Sequence, residues 1–204
     1  MNIEIKEYEK KRTVYLTEDI DCTTTFDIEA AIQEIIDKDH EVYEANLHAL
    51  SALGSHYVEV YTKENVFPEI VLCINCAGGS VYDGIGLYDY IRHINEETDH
   101  KVKVVCQGCV ASMATIVMLA SDDRVAMKNT SFLIHSLSDL AIGKLQEMED
   151  NLIECKRLNE LMNNIYLKHT KLTKTKLKEI DKAKKDWWFG VDKALELGLI
   201  NKII

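Results

Sequence analysis

"EIVLCINCAGGSVYDGIGLYDYIRHINEE", residues 69–97, changes its period half-way. "EIVLCIN" is a buried-strand pattern, "CAGGS" a turn, and "VYDGIGLYDYIRHINEE" an amphipathic helix. The next stretch repeats the plan: "KVKVVCQ" (101–107) reads as a strand, "GCV" (108–110) as a turn and "ASMATIVMLAS" (111–121) as a helix. Two consecutive β-turn-α units with short apolar strands imply parallel strands joined by right-handed helical crossovers, an α/β fold. In such sheets ligands bind beyond the carboxyl ends of the strands, and both Gly78-Gly79 and Ser112 sit there.

Working outward, "RTVYLTEDID" (12–21) reads as a strand and "FDIEAAIQEIIDKD" (26–39) as a helix. Residues 40–66 mix apolar and charged residues without a clean period and are expected to form an insertion with its own short helix or hairpin. Downstream, "DRVAM" and "SFLIHS" read as two short strands, the second ending at His135. Leu145, Met148, Leu152, Cys155, Leu158, Met162 and Ile165 recur three or four apart, which predicts one long amphipathic helix over 140–169. The single proline, Pro68, precedes a strand, where its missing N–H does little harm.

The 204 residues suffice for one substantial core, and no Pro/Gly-rich stretch divides them, so a single domain over 1–204 is expected. No apolar run approaches the roughly 20 residues of a membrane span. The charged N-terminus, without an apolar segment and cleavage site, points to a cytoplasmic location. A net charge of −10 argues against nucleic acid as a partner, and the basic cluster Lys168 to Lys185 reads as a solvated helix face. The six cysteines are expected to be free thiols. Cys73, Cys76, Cys106 and Cys109 form a C-x-x-C…C-x-x-C pattern that would suggest zinc. Side chains two or three apart on a strand need not converge, so neither a metal nor another cofactor is expected.

The neighbours of Ser112 are small or apolar, and an unpaired buried hydroxyl costs about 1–3 kcal/mol. A serine becomes a nucleophile when a base takes its proton and a third group orients that base. His135 ends a strand, the same kind of location, whereas the other histidines lie in charged helices or the insertion. Asp186, in the apolar setting of Trp187, Trp188 and Phe189, is the chosen orienting carboxylate. "AGGS" and the N–H of Met113, both at helix starts, offer donors for an oxyanion.

"INCAGGSVYDGIGLYDYI", "GCVASMATIVMLA", "FLIHS" and "KHT…KKDWWFGVDKALELGLI" together closely resemble the proteolytic subunit of the Clp protease, a ClpP-type serine peptidase. The resemblance covers 12–39 loosely and 70–201 well. It implies Ser112 as nucleophile, His135 as general base, Asp186 as orienting acid, and Gly79 and Met113 as oxyanion-hole donors. It further implies a crotonase-like α/β fold and heptameric rings stacked in pairs through the long helix. Unfolded polypeptides would be the substrates, bound along a strand edge, with an unfoldase ATPase as partner. The chain departs from the family at Ala77, where proline is usual, and in "SLSDLAIG" after His135, where a Gln-Pro and a glycine-rich segment are usual. Residues 40–66 have no counterpart there.

Two other readings stay open on the residues alone. One is a non-catalytic ring subunit, which has no need of Ser112, His135 and Asp186 together. The other is a crotonase-type acyl-CoA hydratase or isomerase, which typically works with acidic catalytic residues. The order Ser, His, Asp and the lack of a G-x-S-x-G elbow set the chain apart from α/β-hydrolases.

Overall fold

A computed structural model describes residues 12–64, 67–138, 142–183 and 186–204. Its centre is the parallel sheet expected from the sequence. The strands β1 (Thr13–Leu16), β2 (Ile70–Cys76), β3 (Val102–Ala111), β4 (Arg124–Ala126) and β7 (Lys202–Ile203) lie side by side in that order. All four neighbouring pairs are parallel. One face of β2 and β3 is buried and the other is mostly half-covered, and the half-covered positions Val71, Cys73 and Val105 are themselves apolar, which is why these strands read as apolar runs rather than as a strict alternation.

β3 is longer than its sequence suggested. "GCV" was expected as a turn, but the strand runs on through Ala111, bending at Gly108, whose φ is +62°. The Asn75 side chain accepts the N–H of Cys109 at 2.9 Å and so stands in for a ladder partner where the β2–β3 register slips. Past the bend β3 changes neighbour. Its first half pairs with β4, and its last residues, Cys109 to Ala111, pair with β5 (Ser131–Ile134). Strand β6 (Trp187–Gly190) then adds antiparallel to β5.

Helices cover the sheet. Asp21 caps α1 (Cys22–Ser51) by accepting from the amides of Thr23 and Thr24, and Ile28, Ile32 and Ile36 form its buried stripe. Beyond Asp39 the helix leaves the core and meets α2 (Ser55–Glu64), with Tyr43 stacked on Tyr61. The expected insertion is therefore a continuation of the preceding helix plus a return helix; residues 65 and 66 lie outside the described residues.

α3 (Val81–Glu97) follows β2, and α4 (Met113–Val117), extended by a 3-10 turn over Met118–Ala120, follows β3. The long helix, α5 (Leu145–His169), starts later than 140, and at its start the Glu147 side chain reaches back to accept the Lys144 amide at 2.9 Å; residues 140 and 141 are outside the described residues. Its second half buries Leu158, Ile165 and Tyr166, while Leu145, Met148, Leu152 and Ile153 in its first half are exposed. Helices α6 (Lys174–Ala183) and α7 (Val191–Glu196) complete the chain.

At the end of the sheet remote from Ser112, buried Arg12 holds Asp39 through two hydrogen bonds of 2.6 and 2.9 Å and donates to the carbonyl of Glu69. His100 bonds the same carboxylate at 3.0 Å and stacks on Phe67. This cluster fastens α1 to β1 and to the strand entries at the point where the helix leaves the core.

Candidate active site

The switch of β3 from β4 to β5 brings two strand ends together. Ser112 follows directly on β3, and its amide donates to the carbonyl of Leu133 at 2.9 Å, continuing the β3–β5 pairing one residue past the strand. His135 follows directly on β5. Its Nε2 lies 2.7 Å from Ser112 Oγ, a hydrogen bond between two half-buried side chains. The hydroxyl that looked out of place in an apolar stretch thus has a partner.

Ser112 has φ +54° and ψ −127°, the single positive φ among the non-glycine described residues. Such a conformation costs of order 1–3 kcal/mol and persists only where the surroundings impose it. The bonds made by Ser112 supply that constraint: its amide to Leu133, and its carbonyl to the buried Thr115 hydroxyl at 2.6 Å. Thr115 in turn meets the Tyr166 hydroxyl of α5 at 2.5 Å.

Opposite Ser112 runs the glycine turn after β2. Gly78 and Gly79 have φ of +112° and +148°, in the region that favours glycine. A Cβ on Gly78 would stand 2.7 Å from Ser112 Cβ, and one on Gly79 would stand 2.2 Å from the carbonyl oxygen of Ile20. Neither position has room for a side chain. Gly79, Ser112, Met113 and His135 line one cavity of about 90 Å³, with the amide of Met113 in the first turn of α4. A larger open groove, about 1620 Å³, runs between β1 and α1, and none of these four residues reaches it.

The family model for Clp protease matches residues 56–204, so it takes in the later part of the segment 40–66, for which no counterpart was expected. The ATP-dependent Clp protease proteolytic subunit of Deinococcus radiodurans is 33% identical over 143 residues, 69% of this chain and 67% of that protein. The proteins of the same name from two strains of Dehalococcoides mccartyi are 30% identical over 144 residues, 70% of this chain and 69% of theirs. The chain belongs to the Clp protease family. It is accordingly a serine-type endopeptidase, with the mixed, mostly parallel α/β fold described above.

Within this Clp protease fold Asp186 stands apart from the other candidates. It is exposed, and no hydrogen bond joins it to His135 among the described residues. It nevertheless immediately precedes β6, whose last pair is Ile134 with Trp187. One further step of that antiparallel register sets Asp186 opposite His135.

Four polar residues escaped the sequence reading. Asn159 of α5 and Asp181 of α6 line the cavity and are joined by a bond of 3.2 Å from Asn159 Nδ2 to Asp181 Oδ2. The Ser136 hydroxyl, next to His135, lies 3.5 Å from the carbonyls of both Ile180 and Asp181. Thr115, three residues after Ser112, could have been found by helical spacing, but nothing local announces residues brought in from α5 and α6.

The cysteines of the two C-x-x-C pairs lie on β2 and β3. Burial raises the thiol pKa of all four, that of Cys106 to about 12, which disfavours the thiolate form. No three His, Cys, Asp or Glu side chains converge among the described residues in a way that could hold a metal ion.

Proposed function

We propose that the chain cleaves peptide bonds of unfolded polypeptides by acyl transfer to water, with Ser112 as nucleophile. The observation that carries this reading is the 2.7 Å bond between Ser112 Oγ and His135 Nε2, made by a serine held at positive φ. A strained backbone that exposes a hydroxyl to an imidazole has a cost without a structural return, and such strain clusters at reacting centres.

His135 Nε2 takes the hydroxyl proton as Oγ attacks the carbonyl carbon. The N–H groups of Gly79 and Met113 receive the oxyanion, and the imidazolium returns its proton to the departing amine. Water then repeats the sequence on the acyl-enzyme, releasing the carboxylate product and regenerating Ser112. Asp186 holds Nδ1–H of His135 once the β5–β6 pairing extends by one residue, a movement of one exposed residue beside a strand end. The cavity walls exclude water from the charged pair during attack.

The exposed apolar first half of α5 supports a paired-ring assembly enclosing the sites, because Leu145, Met148, Leu152 and Ile153 are uncovered in the single chain. The names of the relatives support an ATP-dependent partner that feeds substrate. Among the described residues no helix is long and apolar enough to cross a membrane.

A fluorophosphonate probe followed by mass spectrometry tests the reading. Labelling of Ser112, abolished together with peptide hydrolysis in Ser112→Ala at unchanged assembly size, is the expected result; hydrolysis that survives the substitution overturns it.

A further inference from the structure

We infer that the cavity beside Ser112 selects a lysine-type side chain, an apolar stem ending in a cation, on the acyl side of the scissile bond, with Asp181 as the specificity-determining carboxylate. This rests on the peptidase reading above.

Ser112 and Gly79, where a substrate carbonyl would be held, line the cavity, so the side chain of the residue bearing that carbonyl is the group placed to enter it. Its volume of about 90 Å³ compares with about 30 Å³ for one water in the liquid, which suits one unbranched side chain of moderate length. Ile116, Ile134, Met162 and the ring of Tyr166 give it apolar walls. The Tyr166 hydroxyl is engaged by Thr115 and turned away from this use.

Asp181 adds a carboxylate to a lining whose polar side chains Ser136, Ser138, Asn159 and Asn163 are uncharged. One of its oxygens accepts from Asn159 at 3.2 Å, and no ion pair to this carboxylate is found among the described residues. The contact of Ser136 with the Ile180 and Asp181 carbonyls sets the end of α6 against the strand end that carries His135, so this carboxylate is placed by the same element that places the base. A carboxylate in a half-buried, partly apolar site favours a cationic neighbour. A lysine would lay its methylenes along the walls and bring three donors to the carboxylate. A purely apolar side chain of the same length would displace the water around Asp181 and leave its oxygen unmatched, which is the kind of loss that separates substrates most sharply.

The test is hydrolysis of fluorogenic peptides that differ only in the residue before the scissile bond: lysine, norleucine as its uncharged isostere, and glutamate. Fluorophosphonate labelling of Ser112 is measured in parallel. In the wild-type protein kcat/KM for lysine should exceed that for norleucine by about tenfold or more, the factor expected from one charge-assisted hydrogen bond. Asp181→Asn should bring the lysine-to-norleucine ratio to about one, and Asp181→Lys should turn the preference toward glutamate, as expected when the charge of a pocket is removed or reversed. Because the readout is a ratio within each protein, a general loss of activity does not imitate the effect. Labelled Ser112 with norleucine cleaved as well as lysine, or a lysine preference that survives Asp181→Asn, overturns the assignment of Asp181 alone. Unlabelled Ser112 with no peptide cleaved overturns the peptidase reading and this one with it.

Discussion

The amide of Ser112 donates to the carbonyl of Leu133 at 2.9 Å, and that bond sets the distance between the two strand ends that carry the candidate nucleophile and base. It continues the pairing of Ala111 with Leu133 by half a step, so Ser112 and His135 leave neighbouring strands on the same side. Substituting either side chain leaves this backbone contact in place. Loss of activity in Ser112 or His135 variants therefore reads on chemistry rather than on folding.

Asp186→Asn should lower peptide hydrolysis by about 10²–10⁴-fold, in line with the orienting carboxylate of other serine peptidases. The bond of 2.7 Å between Ser112 and His135 does not depend on Asp186 and should survive. Steady-state kinetics of the variant, with circular dichroism as a folding control, make the comparison. Wild-type rates would remove Asp186 from the mechanism.

Gly78→Ala places a methyl group 2.7 Å from Ser112 Cβ and 3.1 Å from the Met113 nitrogen, at a φ of +112° that alanine resists. Displacing this turn should slow fluorophosphonate labelling of Ser112 by about 10²-fold or more, comparable to losing one oxyanion donor. Labelling at the wild-type rate would show that the turn tolerates a side chain.

Arg12→Met removes both guanidinium bonds to Asp39 and leaves a carboxylate whose side chain is 2% exposed beside His100. Breaking a buried pair from one side costs about 3–5 kcal/mol, and urea denaturation should register a loss of that order. Asp39→Asn added to Arg12→Met should recover part of it, because the uncompensated charge is then gone.

Stability should decline as the pH falls below 6.5. His169, 2.8 Å from the Tyr88 hydroxyl, has its pKa pushed from 6.5 down to about 4 by burial first and then by Arg92 and Lys168. Burial also lowers that of His100, against the opposing pull of Asp39. Between these folded values and 6.5 the unfolded chain binds protons that the folded chain refuses. Their contribution is therefore complete above 6.5 and is lost as the pH falls toward the folded pKa values. Melting temperatures across this range should fall less steeply in His169→Gln than in the wild type; parallel curves would sink the assignment.

The β-turn-α units around Gly78 and Ser112 were legible because periodicity is a local property: a buried parallel strand is apolar on both faces, and a covering helix has one apolar stripe. The continuation of β3 through "GCVA" was not legible. Those residues are strand because β5 arrives beside them, and the glycine that reads as a turn is a bend within the strand. The helical form of 40–64 was only half legible: a short helix or hairpin was expected, but most side chains there are exposed, and the continuation of the preceding helix rests on contacts such as Tyr43 stacked on Tyr61 and Asn46 donating to the Tyr61 hydroxyl. For the candidate site, strand-end positions singled out Ser112 and His135, and the structure brings these two side chains to 2.7 Å. The partners Thr115, Tyr166, Asn159 and Asp181 were out of reach from spacing, apart from Thr115.

The order of residues along the chain by itself determined the parallel α/β plan, the family resemblance and the short list of chemically able side chains, because each depends on neighbours within a turn or a strand. Folding decided what no local pattern carries. It set the 2.7 Å approach of Ser112 to His135, the positive φ of that serine and the entry of Asp181 into its cavity. These depend on which strand ends beside which and on where two later helices pack, and such contacts join residues far apart in sequence.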